Sequence, residues 1–281
     1  MIAAIDAHHH LWNYSAEEYG WISDDMAVLR RDFTPAGLKE RMDAAGVAGA
    51  VAVQARQSVV ETEWLLQLAS KNDFMMGVVG WLPLASPGVG RYLERWGGNG
   101  KWKGVRHVVQ DEPDDRFLLG EAFQAGVGEL EGSGLVYDIL IYERHLPVAV
   151  EFVDHHPRQR FVLDHVAKPR IRDGAISPWR ENLRELARRE NVYCKVSGMA
   201  TEADWKDWTG EGLRPYFEVA LEAFGPARLM FGSDWPVLEV AGTYGKWVET
   251  VREWVLGLSE DEQRRILRET AVEAYGLRVR D

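Results

Sequence analysis

Three short stretches place imidazole and carboxylate side chains at spacings suited to holding a divalent cation and moving a proton. In Asp6-Ala7-His8-His9-His10, side chains of an extended segment alternate, so His8 and His10 project together while His9 turns away. Two imidazoles so placed can share one cation, or bind a substrate carboxylate where no metal is present. A chance surface cluster or a tag remnant is the plainer alternative. It fits poorly with the apolar segment before the triplet and the ordinary loop sequence after it. In Leu163-Asp164-His165-Val166-Ala167-Lys168-Pro169, His165 follows an apolar run and reads as a third nitrogen ligand or as a group polarising a carbonyl. A loop histidine held by its own hydrogen bonds is the alternative there, and Asp164 reads as a carboxylate that orients a neighbour. In Met230-Phe231-Gly232-Ser233-Asp234-Trp235-Pro236, Asp234 is placed to ligate metal and take a proton from water, or simply to cap the turn.

These residues need elements that bring them together. Short apolar runs recur at residues 2–5, 47–53, 75–79, 104–109, 135–139, 161–163, 192–196 and 229–231. Between them lie stretches with helical spacing, such as 35–45, 61–70, 117–130, 179–189 and 213–224. Ser259 followed by Glu262 reads as a capping box opening a last helix that runs to about Tyr275, where Gly276 ends it. Alternation of this kind predicts a parallel sheet covered by helices. A doubly wound open sheet would carry a glycine-rich turn after an early strand, yet no glycine follows the first run until Gly20. The expected fold is therefore a single-domain (β/α)8 barrel over residues 1–281, with its active site at the C-terminal ends of the strands. The three motifs then stand at strand ends one, six and eight, which converge in a closed barrel.

Composition narrows the function classes. Hydrophobic residues at 46% and charged residues at 27% suit a soluble enzyme-sized domain. Lys plus Arg number 33 against 44 Asp plus Glu, a formal charge of −11 that argues against a nucleic-acid partner but not against a small anionic substrate. Cys194 is the one cysteine, so no intrachain disulfide is available. Asp6 interrupts any apolar leader, and the small-apolar stretch 44–53 is too short to span a bilayer, so a cytoplasmic protein without a membrane partner is expected.

The phrases Asp6-Ala7-His8-His9-His10-Leu11-Trp12, Gly104-Val105-Arg106-His107, Leu163-Asp164-His165-Val166-Ala167-Lys168-Pro169 and Phe231-Gly232-Ser233-Asp234-Trp235-Pro236 resemble the amidohydrolase superfamily, and within it the amidohydrolase-2 group. The chain looks most like the sugar lactonases that open fuconolactone or rhamnonolactone, with 2-pyrone-4,6-dicarboxylate lactonases more distant. The similarity runs from residue 2 to the final helix. It implies that His8, His10, His165 and Asp234 surround one divalent cation, zinc or manganese, or, in metal-independent members, substrate and water. Binuclear members add a strand-four Lys or Glu and a strand-five His. Here Gly104-Val105-Arg106-His107 and Tyr137-Asp138 supply neither, so a second metal is not expected.

The implied reaction is hydrolysis of a small lactone, a sugar-acid lactone such as L-fucono- or L-rhamnonolactone, so the expected partner is a small-molecule lactone or sugar acid. Asp234 activates water and a cation or His165 stabilises the oxyanion. Arg106 offers a rigid fork of donors for substrate oxygens, or else a salt bridge on the barrel rim. His107 alternates to the other face but is kept as a substrate-binding candidate, with Gln54, Lys195 and Tyr142; for Gln54 and Lys195, as for Ser197, a structural role is an equal alternative. His145 either enters the pocket or starts the next helix. The long segment 11–33, with Trp12, Tyr14, Tyr19 and Trp21, suits a lid whose aromatic faces stack on a sugar ring. Two rivals share the barrel: a decarboxylase of an aromatic or unsaturated acid, and a non-catalytic sugar-acid binder. Homo-oligomerisation is left open by the stretch 247–254, which is either core or interface.

Overall fold

The computed structural model describes residues 2–279. Eight strands, β1 (Ala4–His9), β2 (Val47–Val53), β3 (Met75–Gly80), β4 (Trp102–Val108), β5 (Val136–Leu140), β6 (Phe161–Leu163), β7 (Val192–Val196) and β8 (Leu229–Phe231), form one sheet in chain order. Each pairs in parallel with the next. The ring closes through the segment after β8. The Asp234 N–H donates to the His8 carbonyl at 2.8 Å, and the His10 N–H donates to the Trp235 carbonyl at 2.6 Å. This is the expected (β/α)8 barrel.

Helices α1 (Pro35–Ala45), α2 (Val59–Lys71), α3 (Gly90–Trp96), α4 (Glu121–Gly128), α5 (Leu146–His155), α6 (Trp179–Ala187), α7 (Gly210–Phe224) and α8 (Tyr244–Val255) follow the strands in turn. Thr34, Ser58, Thr209 and Thr243 each accept a backbone N–H from the first turn of α1, α2, α7 and α8, which satisfies a donor that the helix itself leaves free. The capping box at Ser259 and Glu262 is present, and the last helical stretch runs from Glu260 to Tyr275 through a π-helical turn at Arg265–Glu269. The expected helix over 117–130 is divided: a short turn at Phe117–Leu119 ends at Gly120, whose extended backbone precedes α4. No helix among the described residues is long and apolar enough to cross a membrane.

Two apolar layers result. The outer one joins the strands to the helices and takes in Trp247 and Trp254, so the stretch 247–254 serves the core. The inner one fills the N-terminal end of the barrel with Ile5, Ala7, Val51, Val79, Val136, Val162 and Met230, plugged by Ala271, Ala274 and Tyr275 of the last helix. Above this plug the interior turns polar, with Arg106, Asp138, Asp164 and Lys195 all buried.

β1 extends well past the apolar run at 2–5, and its polar residues Asp6, His8 and His9 are buried, Asp6 and His8 with polar partners. It also departs from strict alternation. Ile5 and Ala7 belong to the inner layer, while Asp6 between them reaches Ser233 and Tyr244. A register shift between Asp6 and His9 then resets the strand, and His8 lies against Arg106 and Lys195 inside the barrel. Such an irregularity re-aims side chains beside functional sites.

Candidate metal and active site

His8 and His10, from the end of β1, meet Asp234 from the loop that closes the ring. Their Nε2 atoms are 3.2 Å apart, and Asp234 Oδ1 is 3.4 Å from His10 Nε2 and 3.8 Å from His8 Nε2. His10 Nδ1 lies 2.8 Å from the Val53 carbonyl, an acceptor only, so Nδ1 carries the proton and Nε2 presents its lone pair. His8 Nδ1 faces Asp164 Oδ1 at 3.3 Å. A tetrahedral zinc with nitrogen and oxygen ligands separates them by about 3.3 Å, as follows from metal–ligand lengths of about 2.0–2.1 Å. The three donor atoms therefore fit one such cation, and all three residues are buried. His165 stands beside them, its Nε2 3.9 Å from Asp234 Oδ1 and its Nδ1 sharing a hydrogen bond with Ser197 Oγ at 2.9 Å.

The electrostatics favour this donor set. Burial holds the His8 imidazole well below the ordinary histidine range and brings His165 down to about 4, against the pull of neighbouring carboxylates. Burial pushes Asp234 upward, but His165, His10 and Lys168 more than offset it and leave the carboxyl below its usual value. Neutral imidazoles and an ionised carboxylate are the states that bind a divalent cation.

A second tier supports these candidate ligands. Asp6 accepts the Ser233 hydroxyl at 2.6 Å, the Ser233 N–H at 2.8 Å, the His8 N–H at 3.1 Å and the Tyr244 hydroxyl at 3.1 Å, pinning β1 to the loop of Asp234. Lys195 sits between Asp138 and Asp164, 2.9 Å from the latter and 3.1 Å from His8 Nδ1. Burial lifts Asp138 to about 6 despite the ammonium beside it, and the Tyr275 hydroxyl donates to it from the final helix. Arg106 Nη1 bonds Asp164 Oδ2 at 3.0 Å.

His165 reaches its place through an unusual backbone. His165, Val166, Ala167 and Lys168 have φ of 54°, 47°, 61° and 49°, a left-handed turn without a glycine that costs roughly 1–2 kcal/mol per residue. The Lys168 N–H closes it on the His165 carbonyl at 2.8 Å. In a three-residue turn positions i and i+3 eclipse, so His165 and Lys168 point the same way. Gly198, with φ of 65°, makes room, because a Cβ there would stand 2.5 Å from His165 Nδ1.

The candidate ligands open into a cavity of about 680 Å³ whose wall includes His10, Arg106, Tyr142, His165 and Asp234, as well as Arg56, Lys168, Glu202 and Trp21. Three residues expected at the substrate are not on that wall. Lys195 lies beneath the ligands, fully buried in its ion pairs. Gln54 is buried below Arg106, donating to its carbonyl at 3.4 Å. His107 turns outward, stacked on Phe117 at 4.8 Å and bonded to Glu112 at 2.7 Å. His145 likewise is a turn residue, its Nδ1 accepting the Tyr142 N–H. In the 11–33 segment Trp12 and Tyr19 are buried anchors, and Trp21 lines the cavity. Nothing in the sequence points to Glu202, and Lys168 stands inside the motif after β6 but takes its direction from the left-handed turn.

The geometry has clear counterparts. A protein of Burkholderia multivorans named L-fucono-1,5-lactonase is 41% identical, covering 97% of this chain and 96% of its own. Another L-fucono-1,5-lactonase, from Burkholderia ambifaria, is 35% identical over 88% of this chain and 86% of its own. A solved amidohydrolase structure from Burkholderia multivorans with bound zinc superposes with a TM-score of 0.95 at 40% identity, covering 99% of this chain and 100% of that one. The amidohydrolase family model matches residues 5–277. The chain belongs to the amidohydrolase family.

Proposed function

We propose that the protein opens the ring of a sugar-acid lactone, L-fucono-1,5-lactone or a close analogue, using one zinc ion held by His8, His10 and Asp234 with His165 adjacent. The observation that carries this reading is the His8–His10–Asp234 donor set, of which His10 and Asp234 line the cavity. The two relatives named as L-fucono-1,5-lactonases support the substrate class. When bound, the cation polarises the lactone carbonyl and acidifies water.

The chain's own groups do the rest. The Asp234 carboxylate, kept ionised, takes a proton from the attacking water as its oxygen bonds the carbonyl carbon. Arg106, at the cavity floor, donates toward the developing oxyanion, and His165, oriented by Ser197, stands on the same side. Collapse of the adduct breaks the bond to the ring oxygen, which receives the proton from Asp234. One water is consumed and a hydroxy acid leaves.

Purified protein assayed with a pH indicator against a panel of aldonolactones, with and without chelator, tests the proposal. The expected result is fast acid release on L-fuconolactone, lost on chelation and restored by zinc. No release from any sugar lactone overturns it.

A further inference from the structure

The cavity holds one feature that the hydrolytic step does not use. Lys168 Nζ and Glu202 Oε1 face each other at 3.8 Å across the wall beside the ligands. Most other Arg/Lys–carboxylate pairs inside or beside the barrel close to hydrogen-bonding distance, as in Arg31–Glu239 at 2.6 Å and Arg95–Glu63 at 2.6 Å, whereas open pairs such as Arg264–Glu260 at 3.8 Å lie on the exposed last helix and not in a cavity. A charge-assisted bond of this type settles near 2.7–2.9 Å, roughly 1 Å shorter than the gap here. Neither group is otherwise hydrogen-bonded through its side chain among the described residues; the further contact of Lys168 is the face of Tyr142, 5.4 Å away.

Both groups are held in place. The left-handed turn at His165–Lys168 directs Lys168 to the side His165 faces. The Glu202 carbonyl accepts the Arg172 N–H at 3.0 Å, fixing its backbone. Trp205 continues the same wall, its indole N–H bonded to the Thr201 carbonyl at 2.8 Å. Burial pushes the Glu202 carboxyl upward from its ordinary value, as expected for a carboxylate short of donors.

We infer that Lys168 and Glu202 form a hydroxyl-recognition subsite that selects polyhydroxy lactones. A single substrate hydroxyl seated between them accepts from the ammonium and donates to the carboxylate, completing two charge-assisted bonds that the protein leaves open. A lactone lacking that hydroxyl leaves a half-buried charge pair unfilled, and a site built for a hydroxyl discriminates against an analogue without it. Aromatic Tyr142 and Trp205 flank the position, as suits the apolar face of a sugar ring. The inference rests on the lactonase reading and adds to it which residues read the sugar.

The test is steady-state kinetics on L-fucono-1,5-lactone and its single-deoxy analogues for wild type, Glu202→Gln and Lys168→Met. For wild type, one deoxy analogue is expected to lose about 10–100-fold in kcat/KM, the worth of a hydrogen bond to a charged group. Each variant is expected to lose a similar factor on the parent lactone, mainly through KM, and nothing further on that one analogue. Two independent variants guard against a folding defect in either. Equal losses on every lactone, or no loss, overturn the subsite and leave the lactonase reading standing. If wild type opens no lactone at all, the lactonase reading falls. Calorimetric binding of the same lactones then decides the subsite: binding lost with one hydroxyl and with either variant upholds it, and no such pattern overturns it.

Discussion

Asp234 carries opposed demands at the scale of a single residue. It is buried, has φ of 59°, and lies among three imidazoles, yet its carboxyl is held below the usual range. Asn in its place keeps the shape but can neither accept the water proton nor offer a charged ligand. Asp234→Asn is expected to lower kcat by about 10²–10⁴-fold with lactone binding retained, checked by turnover assays beside calorimetry. Near-normal turnover would remove Asp234 from the mechanism. His10 illustrates how one backbone contact decides chemistry, since the Val53 carbonyl fixes which ring nitrogen is free. The HxH spacing was legible in the sequence, and so were His165 and Asp234. The outward turn of Asp6 was not, because strict alternation places it on the face of His8 and only the register shift in β1 separates them.

At the scale of elements, the left-handed turn after β6 and the loop after β2 hold opposite sides of the cavity. The first depends on Gly198. Gly198→Ala adds a Cβ 2.5 Å from the His165 ring at a backbone angle unfavourable to alanine. Gly174→Ala, with φ of 65° but nothing within 4 Å, carries the backbone penalty alone. Both are expected to lose about 1 kcal/mol of stability in urea titrations, with Gly198→Ala losing more and also losing turnover at least about tenfold. Equal effects of the two on activity would show that the turn does not position His165. No propensity rule reveals such a turn, since Val166 and Ala167 disfavour it and only the surrounding packing imposes it. That is why Lys168, though inside a recognised motif, could not be assigned a direction.

The loop after β2 is held by Glu61, whose carboxylate accepts the Ala55 and Arg56 N–H groups at 3.0 and 2.9 Å. Burial lifts its pKa from 4.5 to about 7, more than those bonds and Arg56 restrain it. Between these values the unfolded chain has released the proton and the folded chain retains it. Stability from this group is thus complete below pH 4.5 and declines as pH rises toward 7. Gln cannot ionise, so Glu61→Gln is expected to stabilise the protein by about 2–3 kcal/mol more at pH 8 than at pH 5, read from urea titrations. The same difference at both values would contradict a raised pKa.

For the whole molecule, the alternation of apolar runs and helical stretches sufficed to read the barrel, because parallel strands buried on both faces are apolar throughout. It did not reveal where the interior changes from apolar to charged. Lys195 sits on a strand that reads as hydrophobic, and its partners Asp138 and Asp164 come from β5 and the end of β6. Sequence separation hides such a network until the ring is closed. Since the proposed cation is bound by the folded form, zinc at about 100 times its dissociation constant should stabilise chelator-treated protein by about 2.7 kcal/mol. For a chain of this size that raises Tm by roughly 5–10 °C, an effect that His10→Ala should abolish in thermal melts. An unchanged Tm in the wild type would argue that no cation binds here.

The bonds that close the ring, His10 to Trp235 and Asp234 to His8, join the same segments that supply the donors. During synthesis the histidines emerge from the ribosome first and their carboxylate partner arrives only when the eighth strand has been made. A nascent chain or a truncated product therefore displays imidazoles but no finished chelate. For the proposed cation, acquisition would in this way be deferred to the completed polypeptide, with whole molecules favoured over fragments.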